Sequence, residues 1–162
     1  MTQGPVRVPE ELVEFLESGI SILVGTRDAN NRPLSMRGVG AKVSDDRTKL
    51  SVLLPNRVAE GTVQNARATR RVAVTFARAL DNRSVQLKGT VEVLRPGDEQ
   101  DRAVLERYKE DFARILEIIG MPRAITERVA VWPLTIVELA VDGVFVQTPG
   151  PSAGIPLAEA GR

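Results

Sequence analysis

Cysteine and histidine are both absent from the 162 residues. Without cysteine the chain has no disulfide, no thiolate nucleophile and no sulfur-ligated zinc or iron–sulfur cluster. Without histidine it has no Ser-His-Asp or Cys-His machinery, no imidazole zinc site and no proximal haem ligand. A hard cation held by carboxylates stays open, although no metal site is expected. Proton transfer falls to lysine, carboxylates, the single Tyr108, water or a bound group. If the chain is an enzyme, a cofactor carries its chemistry. Long apolar runs are also missing, and none approaches the roughly 20 residues of a membrane span. The start, MTQGPVRVPEEL, lacks the charged-then-apolar order of a signal peptide. The expectation is a cytoplasmic protein.

What is present is ordinary in total and uneven in place. Hydrophobic content of 43% and charged content of 27% suit a folded chain of domain size. Net charge is only +1. Yet the segment Arg27–Lys88 holds thirteen bases against five acids, a balance of +8, and the remainder holds nine against sixteen, −7. Such a split reads either as an anionic ligand for the middle of the chain or as a solvated arginine-rich surface. The segment has one aromatic, Phe76, within an apolar run. It therefore lacks a stacking platform for nucleic acid, which is not an expected partner.

Periodicity supplies the elements. Residues 9–18 read as a short helix with Leu12, Phe15 and Leu16 on one face, stopped at Gly19. Strands are expected at 20–26, 34–43, 48–54, 71–77 and 84–94, the last alternating most cleanly. A helix is expected near 57–68, and the longest one at 97–119, its apolar stripe running from Val104 to Ile119. The segment ITERV adds one helical turn. Residues 133–148 read as a strand pair turning at Asp142–Gly143. The fold class is mainly β with flanking helices (α+β), a six- to seven-stranded antiparallel split β-barrel. Residues 1–150 form the one domain, and residues 151–162, rich in Gly, Pro and Ala, form a flexible tail.

Three strings carry a resemblance: ILVGTRDANNRPLSMRGVGAK, VAEGTVQNARATRRVAVTF and DNRSVQLKGTVEVL. In this order they resemble the FMN-binding split-barrel family related to pyridoxamine 5′-phosphate oxidase. The resemblance implies FMN at a homodimer interface, a small-molecule substrate and hydride transfer by the flavin. Arg37 and Lys42 match the family's Arg-x-x-x-x-Lys phosphate pair, flanking Gly38, and Arg57 lies where another phosphate-binding base is common. Arg offers a planar fork and Lys a point charge. A family lysine often follows that second base; here Val58 follows. In a regular strand Arg37 and Lys42 would face opposite ways, and a bulge at Gly38 or Gly40 would bring them round.

The resemblance also places Ser84, where the family often has Gln, beside the flavin. Gln86 and Lys88 share the face of Ser84 and join it as candidates for the ring's edge. Trp132 is either a flavin neighbour or a core anchor. The vitamin oxidase's C-terminal Arg-His segment has no counterpart, so a different substrate is implied. A deazaflavin is the alternative cofactor. The competing function is a non-catalytic flavin-, deazaflavin- or haem-binding carrier or sensor, or a chain with no cofactor.

Overall fold

Alternation of apolar and polar residues builds the sheet. In the computed structural model, which describes residues 5–127 and 131–160, β1 (Ser21–Arg27) buries Ile22, Val24 and Thr26 and turns the residues between them outward. The same two-residue period sends Val72, Val74 and Phe76 of β5 (Arg71–Ala77) inward, with Val85, Leu87 and Val91 of β6 (Ser84–Pro96). β4 (Lys49–Pro55) and β7 (Leu134–Val146) complete the core with Leu50, Val52, Val137 and Leu139. Helix α1 (Glu10–Glu17) lays Leu12, Phe15 and Leu16 into it.

The sheet is antiparallel, in the order β2-β1-β5-β6-β7-β4-β3, where β2 is Pro33–Gly38 and β3 is Ala41–Val43. Strand pairing does not close this path into a ring. Its two edge strands are instead neighbours in sequence, and Val39–Gly40 carries the chain from one edge to the other. There the Val39 amide donates to the Leu53 carbonyl at 2.9 Å, and the Leu53 amide to the Gly40 carbonyl at 3.0 Å. Gly40 makes the crossing at φ +147°, a conformation side chains disfavour. The stretch expected as one strand over 34–43 is thus two.

Helix α2 (Asn56–Thr69) connects β4 to β5, and α3 (Glu99–Ile118) connects β6 to β7. Asp98 caps α3: its carboxylate accepts from the Gln100 and Asp101 amides, and Asp101 reciprocates on the Asp98 amide. A second cluster of Leu53, Leu105, Leu134 and Ile136 packs beneath α3. α3 passes directly over Gly19, where a Cβ would run into the backbone of Asp111 and Phe112. Helix α4 (Arg123–Glu127) is tethered to α3, with Arg123 bonded to Glu110 at 2.7 Å and to Glu117 at 3.2 Å. It covers the first half of the ITERV segment; Arg128 and Val129 lie outside the described residues.

Two further expectations change. Asp142–Gly143 is not a turn. β7 runs through it as one strand, and the register against β6 shifts between Lys88 and Gly89, leaving Asp142 as the extra residue of a bulge. At Gly143 the Phe145 ring lies close over the backbone, 2.7 Å from where a Cβ would stand. Within the tail, Pro156–Glu159 forms an eighth strand, β8, on the stretch of β7 that β4 leaves unpaired. Among the described residues no helix is long and apolar enough to cross a membrane.

Candidate functional site

A cleft of about 580 Å³ opens between the β1–β2 end of the sheet, the start of α2 and the C-terminal half of α3 with α4. Its size lies within the range of about 300–1,000 Å³ that small-molecule sites occupy. Its walls are largely apolar. Among the described residues the lining holds three charged side chains, Arg37, Arg57 and Lys109, and no carboxylate.

Each base is placed by its element. On β2, Gly38 points into the barrel, where a Cβ would meet Ile22 and Val52 at 2.9–3.0 Å. Alternation therefore turns Arg37 outward. Its guanidinium donates to the Ser21 hydroxyl at 2.9 Å and lies 5.7 Å from the centre of the Phe112 ring. Phe112 stacks on Tyr108 with ring centres 5.5 Å apart. Burial raises the Tyr108 pKa, and the opposing pull of the Arg37 charge is weaker. Tyr108 thus stays a neutral phenol, donating to the Ile20 carbonyl at 2.9 Å, and is no acid–base group at neutral pH.

Arg57 sits in the first turn of α2. That helix starts after Pro55 with no side-chain cap and no acid in its first turn. The amide ends of the helix and the Arg57 charge therefore add, which favours an anion. Among the described residues no carboxylate pairs with Arg37 or Arg57, whereas Arg71, Arg78 and Lys49 of the same basic segment are paired with acids. Part of the excess charge of the middle of the chain is thus neutralised in surface pairs, and Arg37 and Arg57 bring part of it to the cleft.

Of the residues singled out in the sequence, Arg37, Gly38 and Arg57 line this cleft; Lys42, Ser84, Gln86, Lys88 and Trp132 do not. Lys42 is exposed on β3 between inward-facing Ala41 and Val43. The break at Val39–Gly40 leaves it on the outer surface, as Arg37 is. Gln86 is reached from Arg37 along one cross-strand row on the outer face: Arg37, Leu23, Thr75, Gln86, Phe145. Three strand spacings, about 14 Å, separate the two. Gln86 donates to Thr75 at 2.9 Å, and the Ser84 hydroxyl to the Asn82 carbonyl at 2.9 Å. The Lys88 ammonium lies 4.7 Å from the centre of the Phe145 ring. Trp132 packs on the second core cluster under α3, with the Arg102 guanidinium 4.2 Å from its ring centre. The wall formed by Phe112, Ile115, Leu116, Met121 and Ile125 went unread, because the α3 stripe signals core packing without saying where the core stops.

The family model for pyridoxamine 5′-phosphate oxidase matches residues 8–146. A search of curated proteins finds no match. Solved structures share the fold. A putative pyridoxamine 5′-phosphate oxidase from Lactobacillus delbrueckii is 18% identical, with 86% of this chain and 93% of that chain covered and a TM-score of 0.55. An F420 reductase is 16% identical, covering 85% and 98%, with a TM-score of 0.58. An FMN-binding protein from Syntrophomonas wolfei is 13% identical, covering 84% and 86%, with a TM-score of 0.50. A match over nearly the whole barrel, on a chain whose sheet splits between β2 and β3, leads to one assignment: this chain belongs to the pyridoxamine 5′-phosphate oxidase family.

Proposed function

We propose that the protein is a homodimeric FMN-dependent oxidoreductase acting on a small molecule other than the vitamin phosphate. One observation carries the reading. Arg37, Arg57 and the start of α2 converge on a single cleft that holds no carboxylate among the described residues. That arrangement suits a phosphate monoester. Arg37, pre-oriented by Ser21, and Arg57 would hold the phosphate, with Lys42 on the adjoining outer surface. The cross-strand row toward Gln86, with Ser84 and Lys88 on the same face, would receive the ring. A bound flavin would supply hydride exchange with the substrate. The chain's own residues orient it and stabilise negative charge with amide and ammonium donors. A second copy on the outer sheet face would complete the site.

A deazaflavin is the alternative cofactor, supported by the F420 reductase among the structural neighbours. A carrier or sensor is the alternative role. It is favoured by Val58 and Ser84, which stand where the family often has a second phosphate base and a ring-contacting Gln.

Titration of the purified protein with FMN, riboflavin and F420, read by flavin fluorescence, tests the cofactor. FMN is expected to bind more tightly than riboflavin, which lacks the phosphate. Arg37→Ala and Arg57→Ala should each weaken FMN about tenfold to a hundredfold, the worth of a charge-assisted hydrogen bond, while leaving riboflavin nearly unchanged. Equal affinity for FMN and riboflavin would refute the phosphate site. Reduced nicotinamide turnover by the loaded protein then separates the oxidoreductase from a carrier.

A further inference from the structure

The cleft has more apolar wall than a phosphate site needs. Lys109, Phe112 and Leu116 repeat along α3 at spacings of three and four, so they form one stripe. The stripe runs about 10 Å along the axis, at 1.5 Å per residue. Met121 and Ile125 face the same cleft from beyond the helix end, and Val58 faces it from α2. These last three remain wet: Met121 is 39% exposed, Ile125 56% and Val58 57%. The head of the stripe is the one cleft base that the cofactor reading leaves unused. Among the described residues Lys109 has only a 3.7 Å pair with Glu106 on its own helix, and such an exposed pair is weak.

We propose that this wall binds an anionic amphiphile, with a carboxylate at Lys109 and an alkyl chain along Phe112 and Leu116 toward Met121 and Ile125. As a substrate site it rests on the flavin reading; as a binding site it does not. Charge selects the occupant: a lining with three bases and no carboxylate among the described residues favours an anion, and the wet aliphatic side chains favour a flexible apolar chain over a sugar or a peptide. Arg123, bonded to Glu110 and Glu117, holds α4 against α3 and so fixes the far end of the wall.

Calorimetric titration of the full chain with hexanoate, octanoate and decanoate, with and without FMN, tests the site. Affinity should rise by up to about fourfold for each methylene buried. Ile125→Gln should weaken decanoate several-fold while leaving FMN uptake intact. Lys109→Gln should abolish the preference for decanoate over decanol. Chain-length-independent binding, or equal decanoate affinity in the wild type and Ile125→Gln, would overturn the proposal even if FMN binds. Chain-length-dependent binding without FMN uptake would sustain this site and defeat the flavin reading. A dimer that Ile125→Gln dissociates, with no decanoate binding, would overturn it in favour of a self-association face.

Discussion

Single residues decide how closely the parts of this molecule approach. Gly19 lies just past the end of α1, which closes at Glu17 with Ser18 as its cap, and its role is to let the α3 backbone settle on the barrel. Gly19→Ala should cost about 1–3 kcal/mol by overpacking, read as a lower denaturant midpoint with little change in the slope. Two surface carboxylates act through hydrogen bonds instead. Asp46 accepts from the Ser44 and Thr48 hydroxyls and the Thr48 amide, which lowers its pKa to about 2. Asp81 is held at about 2 by Arg78 and by the Arg83 amide. A carboxylate with a depressed folded pKa stabilises the fold fully above its unfolded value near 4 and loses that stabilisation as pH falls toward 2. Both turns should therefore loosen between about pH 4 and pH 2, while neither contributes a pH dependence near neutrality. Carboxyl chemical shifts followed through an acid titration would show this. Midpoints near 4 would contradict it.

At the scale of elements, α4 hangs from α3 by Arg123. Arg123→Gln should speed amide exchange in α4 and in the last turn of α3 while leaving the global unfolding midpoint almost unchanged, because the pairs lie at the surface. Uniform acceleration across the sheet would mean that the tether holds more than the helix pair. The same elements show how far the sequence can be read. The β6 strand was legible because Val85, Leu87 and Val91 alternate, although a register shift after Val91 turns Val93, expected on the same face, out to solvent, and α3 because its apolar residues recur at helical spacing. Arg37 and Arg57 were legible as a pair only through the family resemblance; nothing local says that two bases twenty residues apart share a cleft. Asp142–Gly143 was misread because Asp-Gly is a strong turn signal, whereas here the glycine makes room for the Phe145 ring. The cleft wall was not legible at all. Leu105 and Phe112 look alike in the pattern, and only the place where the barrel ends under α3 makes one core and the other wall.

The whole molecule leaves its outer sheet face open. Leu23 is 45% exposed next to Arg37 on the row from Arg37 to Phe145, with Gly25 and Ala73 paired beside it. The small residues Gly25, Ala73 and Thr75 around an exposed Leu23 suit contact with a second copy of the chain. Sedimentation should show a dimer that Leu23→Arg converts to monomer, with FMN affinity falling in step; a monomeric wild type would remove the shared site. The position of β7 has a different consequence, one of timing. β3 and β4 join the rest of the sheet through β7, which is translated after β1 to β6. On the ribosome, Leu50, Val52 and Leu54 must wait with an unpaired edge until residues 134–146 clear the exit tunnel. Through that interval the nascent chain presents an apolar strand to its surroundings, so a chaperone that shields extended apolar segments should hold this protein until β7 emerges and release it afterwards.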